Sequence, residues 1–276
     1  MGLLQGIRNT FATTENSFGG LMMHVSSRSR VIKFKGSPPM EMTPREYFTL
    51  KYAVLHGFSV SKDGDEWELS KGDIRFRMTK EDFSYVLFND GILSHYQPID
   101  FKGKTVLDVG GYIGDTAVLF HHLGAEKIVI YEPVEEHLPL IRKNIELNRI
   151  NAEVKNLGVG ISKGSLEVPY SKLGLRFGRE RADDPGMKTK TIILEDIKTV
   201  IRESDADIAK FNCETCEKAI LSLDDAIIQE IPLYVVETHG DDIDMQLLEK
   251  FLKAGYKIVK TTKTEAHHPL HTLKRG

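Results

Sequence analysis

A buried strand that runs into a glycine-rich turn and then a helix constrains this chain more than any other feature. The run Thr105–Val109 is apolar without polar alternation, which is typical of a strand buried on both faces. Residues 110–114 read Gly-Gly-Tyr-Ile-Gly, and a helical pattern follows from Asp115 to Leu123. Such a turn lets the backbone approach a ligand closely, and the helix N-terminus offers unpaired N–H groups.

Strands and helices alternate along the chain beyond this turn. Strand-like runs lie at 127–131, 152–157, 207–212 and 233–237, and helical patterns lie at 134–147, 214–221 and 243–254. This alternation predicts an α/β fold with a doubly wound, mainly parallel sheet. Ligands of such sheets bind at the carboxyl ends of the central strands.

The glycine turn does not fit a dinucleotide. In one reading frame Val109 replaces the first glycine of G-x-G-x-x-G, and in the other Tyr112 and Asp115 replace the later ones. An acidic residue, Glu132, ends the second strand, where its carboxylate can accept both hydroxyls of a ribose. Asp108 is placed to hold an ammonium group directly or through water. A ligand with a ribose, an α-amino group and no pyrophosphate is S-adenosylmethionine, with S-adenosylhomocysteine as the product of methyl transfer.

These residues resemble the FkbM-type class I methyltransferases. The similar segments, in chain order, are 106–117 (VLDVGGYIGDTA), 131–133 (YEP), 144–148 (NIELN), 158–160 (GVG), 210–217 (KFNCETCE), 236–239 (VETH) and 255–256 (GY). They cover roughly residues 95–260, and their common order is more specific than any single motif. The resemblance implies a Rossmann-like, seven-stranded methyltransferase sheet that binds S-adenosylmethionine.

The resemblance also implies a set of cofactor-binding residues and a type of reaction. The residues carried over are Asp108, Gly110, Gly114 and Glu132, and their neighbours in the two turns, Gly111, Tyr112, Asp115 and Pro133, are expected contacts. The best-known members of the family methylate hydroxyl groups of natural products and sugars. We therefore expect a small-molecule or sugar acceptor.

Two positions depart from the family pattern. Asn212 stands where the family usually has Asp, and Thr215 stands where it usually has Gly. An amide cannot act as a carboxylate base, so Asn212 is restricted to orienting an acceptor. A chain that keeps the fold and has lost its catalytic activity is therefore one alternative.

The remaining catalytic candidates follow the fourth and fifth strands of the sheet. They are Glu214, Glu237 and His239, and His239 is best matched to a base because its reference pKa is about 6.5. Each also has a structural interpretation: His239 as a hydrogen-bonding group at the strand end, Glu214 as a helix cap, and Glu237 as an acceptor for backbone amides.

The part of the chain before residue 100 has a different pattern. Residues 1–40 show little periodicity and predict a loosely ordered arm. Thr43 to Glu46 predicts a helix start with a capping box, and Gly57 predicts its end. Three short strands are expected at 58–60, 66–69 and 74–78. We expect residues 1–100 to form this arm and a small α+β region, and residues 101–276 to form the methyltransferase domain.

Composition limits the class of protein and its partners. The chain has 276 residues, a net charge of −3 and two cysteines, and no apolar run has the length of a membrane-spanning helix. We expect a cytoplasmic protein without a disulfide scaffold or membrane partner. The Cys213-x-x-Cys216 motif suits redox exchange, but we assign it no redox role and no zinc site. His267, His268 and His271 are not expected to bind metal, and the oligomeric state stays undetermined.

An RNA or protein acceptor is the other alternative. Basic residues occur in the arm (Arg28, Arg30, Lys33, Lys35), in the loop 171–188 (Arg176, Arg179, Arg181) and near the end of the chain (Lys257, Lys260, Lys263, Lys274, Arg275). Together they keep docking of a macromolecule open despite the negative net charge.

Overall fold

The chain divides into two compact units, Met1–Leu93 and Ser94–Gly276. A computed structural model describes residues 3–79, 95–171, 174–175, 188–214, 216–264 and 268–276. Among the described helices, none is both long enough and apolar enough to cross a membrane.

The first unit is a small α+β assembly. Its elements are α1 (Leu3–Thr13), α2 (Ser17–Met22), β1 (Arg30–Lys33), β2 (Pro39–Met42), α3 (Pro44–Leu55), β3 (Ser59–Asp63), β4 (Glu66–Lys71) and β5 (Ile74–Thr79). Strands β1 and β2 pair antiparallel, and β3, β4 and β5 form an antiparallel sheet. The predicted capping box is present, because Thr43 and Glu46 bond reciprocally at the start of α3. The three strands are also confirmed.

The prediction of a loosely ordered arm is wrong. Residues 3–42 form two helices and a hairpin with buried side chains, among them Met23, Ile32 and Phe34. The ring of Phe34 stacks on Tyr47 of α3 at 5.7 Å, and the Tyr47 hydroxyl donates to Thr10 Oγ1 at 3.0 Å. Helix α2 has six residues and strands β1 and β2 have four each, which is too short to show periodicity, and the apolar face of this region packs on a helix that follows later in the chain.

The second unit contains two sheets. Its first half comprises β6 (Thr105–Val109), α4 (Asp115–His122), β7 (Lys127–Tyr131), a 3₁₀ turn (Glu135–His137), α5 (Leu138–Asn148), β8 (Ala152–Lys155), β9 (Gly158–Gly160), β10 (Gly164–Ser171), β11 (Gly174–Leu175) and β12 (Lys188–Asp196). The second half comprises α6 (Ile197–Ser204), β13 (Ile208–Phe211), a 3₁₀ helix (Cys216–Ser222), α7 (Asp225–Ile228), β14 (Leu233–Glu237), α8 (Asp241–Lys253), β15 (Tyr256–Lys263) and β16 (Pro269–Arg275).

The larger sheet has seven strands in the order β8-β7-β6-β13-β14-β16-β15. Strands β8, β7, β6, β13 and β14 are parallel, and β16 runs antiparallel between β14 and β15. This is the predicted doubly wound, Rossmann-like sheet of seven strands, which is thereby confirmed. The smaller sheet has the order β11-β10-β12-β9.

Successive side chains of the central strands point to opposite faces of the sheet, which differ in polarity. Leu107, Val109 and Phe211 belong to an apolar core with α6, α7 and α8. The residues between them point to the opposite face, because side chains alternate along a strand. Asp108 and Lys210 lie there, and they are partners in the parallel register of β6 and β13.

Candidate cofactor and acceptor site

Four central strands end at one edge of the sheet. Because β6, β7, β13 and β14 are parallel, their carboxyl ends bring together segments that are far apart in sequence. The segments are the glycine turn 110–114, residues 132–133, residues 212–217 and residues 237–239. All twelve residues predicted from the sequence for the site lie in these segments, next to them, or at the start of α4.

The glycine turn is packed tightly against the neighbouring strands. Gly110 has φ +86°, and a Cβ added to it would lie 1.9 Å from the carbonyl oxygen of Asn212. A Cβ on Gly111 would lie 2.3 Å from Cγ2 of Ile130. Gly114 is the N-cap of α4. Because Gly110 and Gly111 have no side chains, the turn can pack directly against β7 and the residue that follows β13.

Both carboxylate oxygens of Asp108 accept hydrogen bonds from side chains of the protein. Its carboxylate is fully buried, and Oδ1 accepts from Lys210 Nζ at 2.8 Å. Oδ2 accepts from the hydroxyl of Thr116 in α4. The register of β6 and β13 brings the ammonium of Lys210 to this carboxylate, and a contact of Asp108 with a ligand's ammonium, directly or through water, stays a prediction.

Glu132 organises the turn from the end of β7. Oε2 accepts the backbone N–H of Tyr112 at 2.8 Å, and Oε1 accepts that of Val134 at 2.8 Å. The Nδ1 atom of His137 lies 3.2 Å from Oε1. An ionised carboxylate has about four lone-pair sites, so acceptor capacity remains after these contacts. The half-buried Pro133 follows directly.

Tyr112 and Asp115 lie in and next to the glycine turn, on the same side of the edge as Glu132. Tyr112 has φ 47°, a left-handed conformation, and its half-buried ring meets His137 edge to face at 4.9 Å. Asp115 is buried in the first turn of α4, where Oδ1 accepts the N–H of Thr116 at 2.9 Å. Their backbone and side chains shape the turn that Glu132 holds.

His239 and Glu217 form a buried pair on the other side of the edge. Glu217 Oε1 lies 3.0 Å from Nδ1 of His239 and accepts its backbone N–H at 3.0 Å. The histidine side chain is 8% exposed and the glutamate side chain 0%. Among the described residues, neither His239 Nε2 nor Glu217 Oε2 has a hydrogen-bond partner. The bond at Nδ1 assigns the proton to that nitrogen and leaves Nε2 as the basic one.

Two more carboxylates face Nε2 of His239. Glu214 Oε2 lies 3.8 Å away and Glu237 Oε1 lies 3.9 Å away. Burial opposes the imidazolium, but the hydrogen bond to Glu217 and the charges of all three glutamates outweigh it and raise the pKa of His239 above 6.5. Burial likewise raises the pKa of Glu237, partly offset by a hydrogen bond from Thr264.

The segment after β13 differs from its predicted helix. A 3₁₀ helix begins at Cys216, and the preceding Glu214 has a left-handed φ of 53°. A disulfide joins Cys213 and Cys216, which the sequence analysis did not expect. The left-handed residue is incompatible with the first turn of an α-helix, so regular structure starts later. The half-buried Asn212 directly follows β13, and Thr215 lies outside the described residues.

Two residues of this edge were not assigned a role from the sequence. Glu217 was visible only as the last residue of the family-like segment 210–217. Tyr96 had no signal at all, yet it is buried in this unit, where its ring packs on Phe101 and Phe120. Burial raises its pKa well above 10, and the charges of Asp108, Asp115 and Glu237 add to the effect.

The other histidines have structural partners. His271 contacts Asp244 through Nε2 at 2.6 Å and Thr261 through Nδ1 at 2.9 Å, and the ring of His268 packs 4.8 Å from that of His239. The part of the chain that the structure describes contains no group of three or more potential metal ligands. Arg176, Arg179, Arg181 and His267 lie outside the described residues.

Comparison with known proteins gives structural matches only. No protein-family model and no curated protein matches the chain. The ribosomal protein L11 methylase of Lactobacillus delbrueckii subsp. bulgaricus has a TM-score of 0.41 and 14% identity, over 70% of this chain and 80% of that one. A Streptococcus pneumoniae protein solved with S-adenosyl-L-methionine has a TM-score of 0.41 and 13% identity, over 63% and 67%.

A third match is the precorrin-6y C5,15-methyltransferase of Geobacter metallireducens. Its TM-score is 0.37 at 14% identity, over 67% of this chain and 84% of that one. The printed names of these three proteins describe methyltransferases or a protein bound to S-adenosyl-L-methionine. At these identities and TM-scores the matches assign no substrate to this chain, and the FkbM family has no match among the family models.

Proposed function

We propose that this chain is an S-adenosylmethionine-dependent methyltransferase that methylates a hydroxyl group of a small molecule or sugar. The observation that carries the proposal is the buried His239–Glu217 pair. Glu217 is bonded to Nδ1 of His239, and Nε2 has no hydrogen-bond partner among the described residues. This nitrogen lies at the same edge of the sheet as the glycine turn and Glu132.

The residues present fit the cofactor in their chemistry. The ribose hydroxyls and the ammonium group of S-adenosylmethionine are hydrogen-bond donors, and the edge is rich in carboxylate acceptors. Glu132 would hold the ribose, since its carboxylate retains acceptor capacity at the end of β7. The turn at Gly111 and Tyr112 and the neighbouring Pro133 would line the cofactor. When bound, S-adenosylmethionine supplies an activated methyl group on a sulfonium.

The chain's own contribution to the reaction is a positioned base. A hydroxyl acceptor must lose its proton as its oxygen attacks, and a base within hydrogen-bond reach assists this step. Glu217 fixes the ring of His239 and keeps the proton on Nδ1, so Nε2 receives the acceptor's proton. Asn212 cannot receive a proton in this way, and we assign it to orienting the acceptor.

An RNA acceptor is the second candidate, favoured by one observation. Lys257 and Lys274 are directly opposed in the β15–β16 hairpin, and Arg275 lies opposite Tyr256. Directly opposed residues share a face, so the hairpin concentrates positive charge at the end of the sheet. If RNA docks there, acceptor binding will weaken steeply with added salt because phosphate contacts release counterions.

Calorimetric titration with S-adenosylmethionine and S-adenosylhomocysteine tests the proposal. We expect binding by the intact protein that is abolished in Glu132→Ala. Glu135→Ala is the matched control, because Glu135 is an exposed carboxylate in the adjacent 3₁₀ turn. Asp108→Ala is a poor probe, because it leaves the buried ammonium of Lys210 without its carboxylate partner.

Two results contradict the proposal. Absence of binding by the intact protein removes the methyltransferase assignment. Equal binding by the intact protein and Glu132→Ala would show that the cofactor site is not at the end of β7. If the cofactor binds and methyl transfer survives unchanged in His239→Asn, the base assignment is wrong and the cofactor assignment stands.

A further inference from the structure

The space around His239 Nε2 is strongly acidic. Three glutamates surround one imidazole: Glu217 is bonded to Nδ1, and Glu214 and Glu237 lie 3.8 and 3.9 Å from Nε2. Neither of the last two distances is a hydrogen bond. The imidazole is thus enclosed by carboxylates without being bonded to those that face its basic nitrogen.

The carboxylates of the cluster lack a Lys or Arg partner among the described residues. The charge of Lys210 acts on Glu237, but its ammonium is bonded to Asp108 and Gly110. In the described part of the chain, no Lys or Arg forms an ion pair with Glu214, Glu217 or Glu237.

A second, independent observation points to a ligand. The His239 side chain is more than nine-tenths buried, and its Nε2 has no hydrogen-bond partner among the described residues. Oε2 of the fully buried Glu217 is equally unpartnered. Buried polar groups in native proteins are almost always satisfied, so two such atoms in one cluster indicate a polar ligand.

We infer that the acceptor is a cation: a hydroxyl compound that also carries an ammonium group, such as an amino alcohol or amino sugar. The ammonium binds between the carboxylates of Glu214 and Glu237, and the hydroxyl reaches Nε2 of His239. This inference rests on the proposed methyltransferase function and adds the substrate class.

The reaction balances with this arrangement. The acceptor hydroxyl gives its proton to Nε2 of His239, and its oxygen forms a bond to the methyl carbon. The carbon–sulfur bond of the donor breaks, and its electron pair stays on sulfur, giving S-adenosylhomocysteine. The ammonium group is unchanged, and the product is a methyl ether that retains its positive charge.

The main competing explanation is that the cluster serves the donor. S-adenosylmethionine is positively charged at sulfur and S-adenosylhomocysteine is not. If Glu214 stabilises the sulfonium, Glu214→Gln will reduce the preference for the charged donor over its neutral product. If Glu214 binds the acceptor, both cofactor dissociation constants will stay within about twofold, because no charge contact to the cofactor is lost.

The test compares charged and neutral acceptor probes on the protein saturated with S-adenosylhomocysteine. The pairs are glucosamine with N-acetylglucosamine and ethanolamine with N-acetylethanolamine. Binding is followed by NMR of the His239 ring, and methyl transfer is followed with tritiated S-adenosylmethionine. We expect each amine to bind about tenfold more tightly than its acetylated partner, because only the amine pairs with the carboxylates.

Glu214→Gln is the diagnostic variant. Its side chain is 47% exposed, so the substitution is compatible with folding. We expect it to remove most of the amine preference, while Glu249→Gln, an equal charge change on the surface of α8, retains it. Glu249 is exposed and pairs with Lys253, away from the cluster.

The outcomes separate this inference from the proposed function. Loss of cofactor binding by the intact protein would count against the function itself. If the cofactor binds, the cationic acceptor is overturned by equal binding of amine and acetylated probes, by binding of neither, or by a variant that changes only the donor preference.

Discussion

The ammonium of Lys210 ties the carboxylate of Asp108 to the glycine turn. Nζ lies 2.8 Å from Asp108 Oδ1 and 2.7 Å from the carbonyl oxygen of Gly110. Lys210 is 2% exposed and Asp108 is fully buried. The pair joins neighbouring strands at the point where the chain turns, so it holds the turn in one conformation.

We expect Lys210→Met to destabilise the protein by about 3–5 kcal/mol, because it leaves the Asp108 carboxylate buried without its cation. Urea unfolding of the full chain measures the change. Lys104→Met is the control, since Lys104 and Asp207 form an ion pair in which both side chains are more than one-third exposed. Loss of that pair should cost about 0–1 kcal/mol. Equal losses in the two variants would show that the buried pair has no special role.

Gly110→Ala should unfold or strongly destabilise the second unit. The new Cβ would meet the Asn212 carbonyl oxygen at 1.9 Å, in a backbone conformation with φ +86°. Clash and conformation together predict a loss of roughly 3 kcal/mol or more. Gly103→Ala isolates the conformational part, since Gly103 has φ +67° with nothing within 4 Å of an added Cβ. Its expected loss is about 1–2 kcal/mol. Thermal or urea unfolding that ranks the two variants in the other order contradicts the packing described here.

Methyl transfer should decline as the pH falls through the pKa of His239. Burial opposes protonation, but Glu217, Glu214 and Glu237 raise this pKa above 6.5, and only the neutral ring acts as a base. We therefore expect kcat/KM to fall about tenfold per pH unit on the acid side of a value above 6.5. The ring of His268 also packs against His239.

Two variants test whether the fall of kcat/KM at acid pH, the acid limb, depends on the His239–Glu217 pair. Glu217→Gln removes the charge beside Nδ1 and should move the limb to lower pH, whereas His239→Asn should abolish it. His122→Asn, an exposed change on α4, is the control and should leave the limb in place. A limb that does not move in Glu217→Gln argues that Glu217 has only a packing role.

The Cys213–Cys216 disulfide should contribute modestly to stability. It closes a four-residue loop, for which chain-entropy arguments give about 2 kcal/mol. Adding a dithiol reductant should lower the free energy of unfolding of the native chain by this amount and have no effect on a Cys213→Ser/Cys216→Ser variant. Thiol titration of the native protein without reductant is the direct check, and two reactive thiols there would show that the bond is absent.

The sequence predicted the sheet because the order of its strands and helices depends on local patterns. The apolar run of β6, the glycines after it and the capping box at Thr43 each act over a few residues. The same reasoning failed for residues 3–42, where short elements acquire their apolar face from α3. It also failed for the helix after β13, where the left-handed Glu214 delays regular structure until Cys216.

The sequence by itself determined the order of strands and helices and therefore the edge at which their carboxyl ends meet. Only the tertiary structure decided the partners of the charged side chains at that edge. It paired Asp108 with Lys210, and it joined Glu217 to His239. The physical reason is one of range. Backbone conformation is set by near neighbours, whereas a buried charge takes whichever partner strand register and packing bring within hydrogen-bond distance.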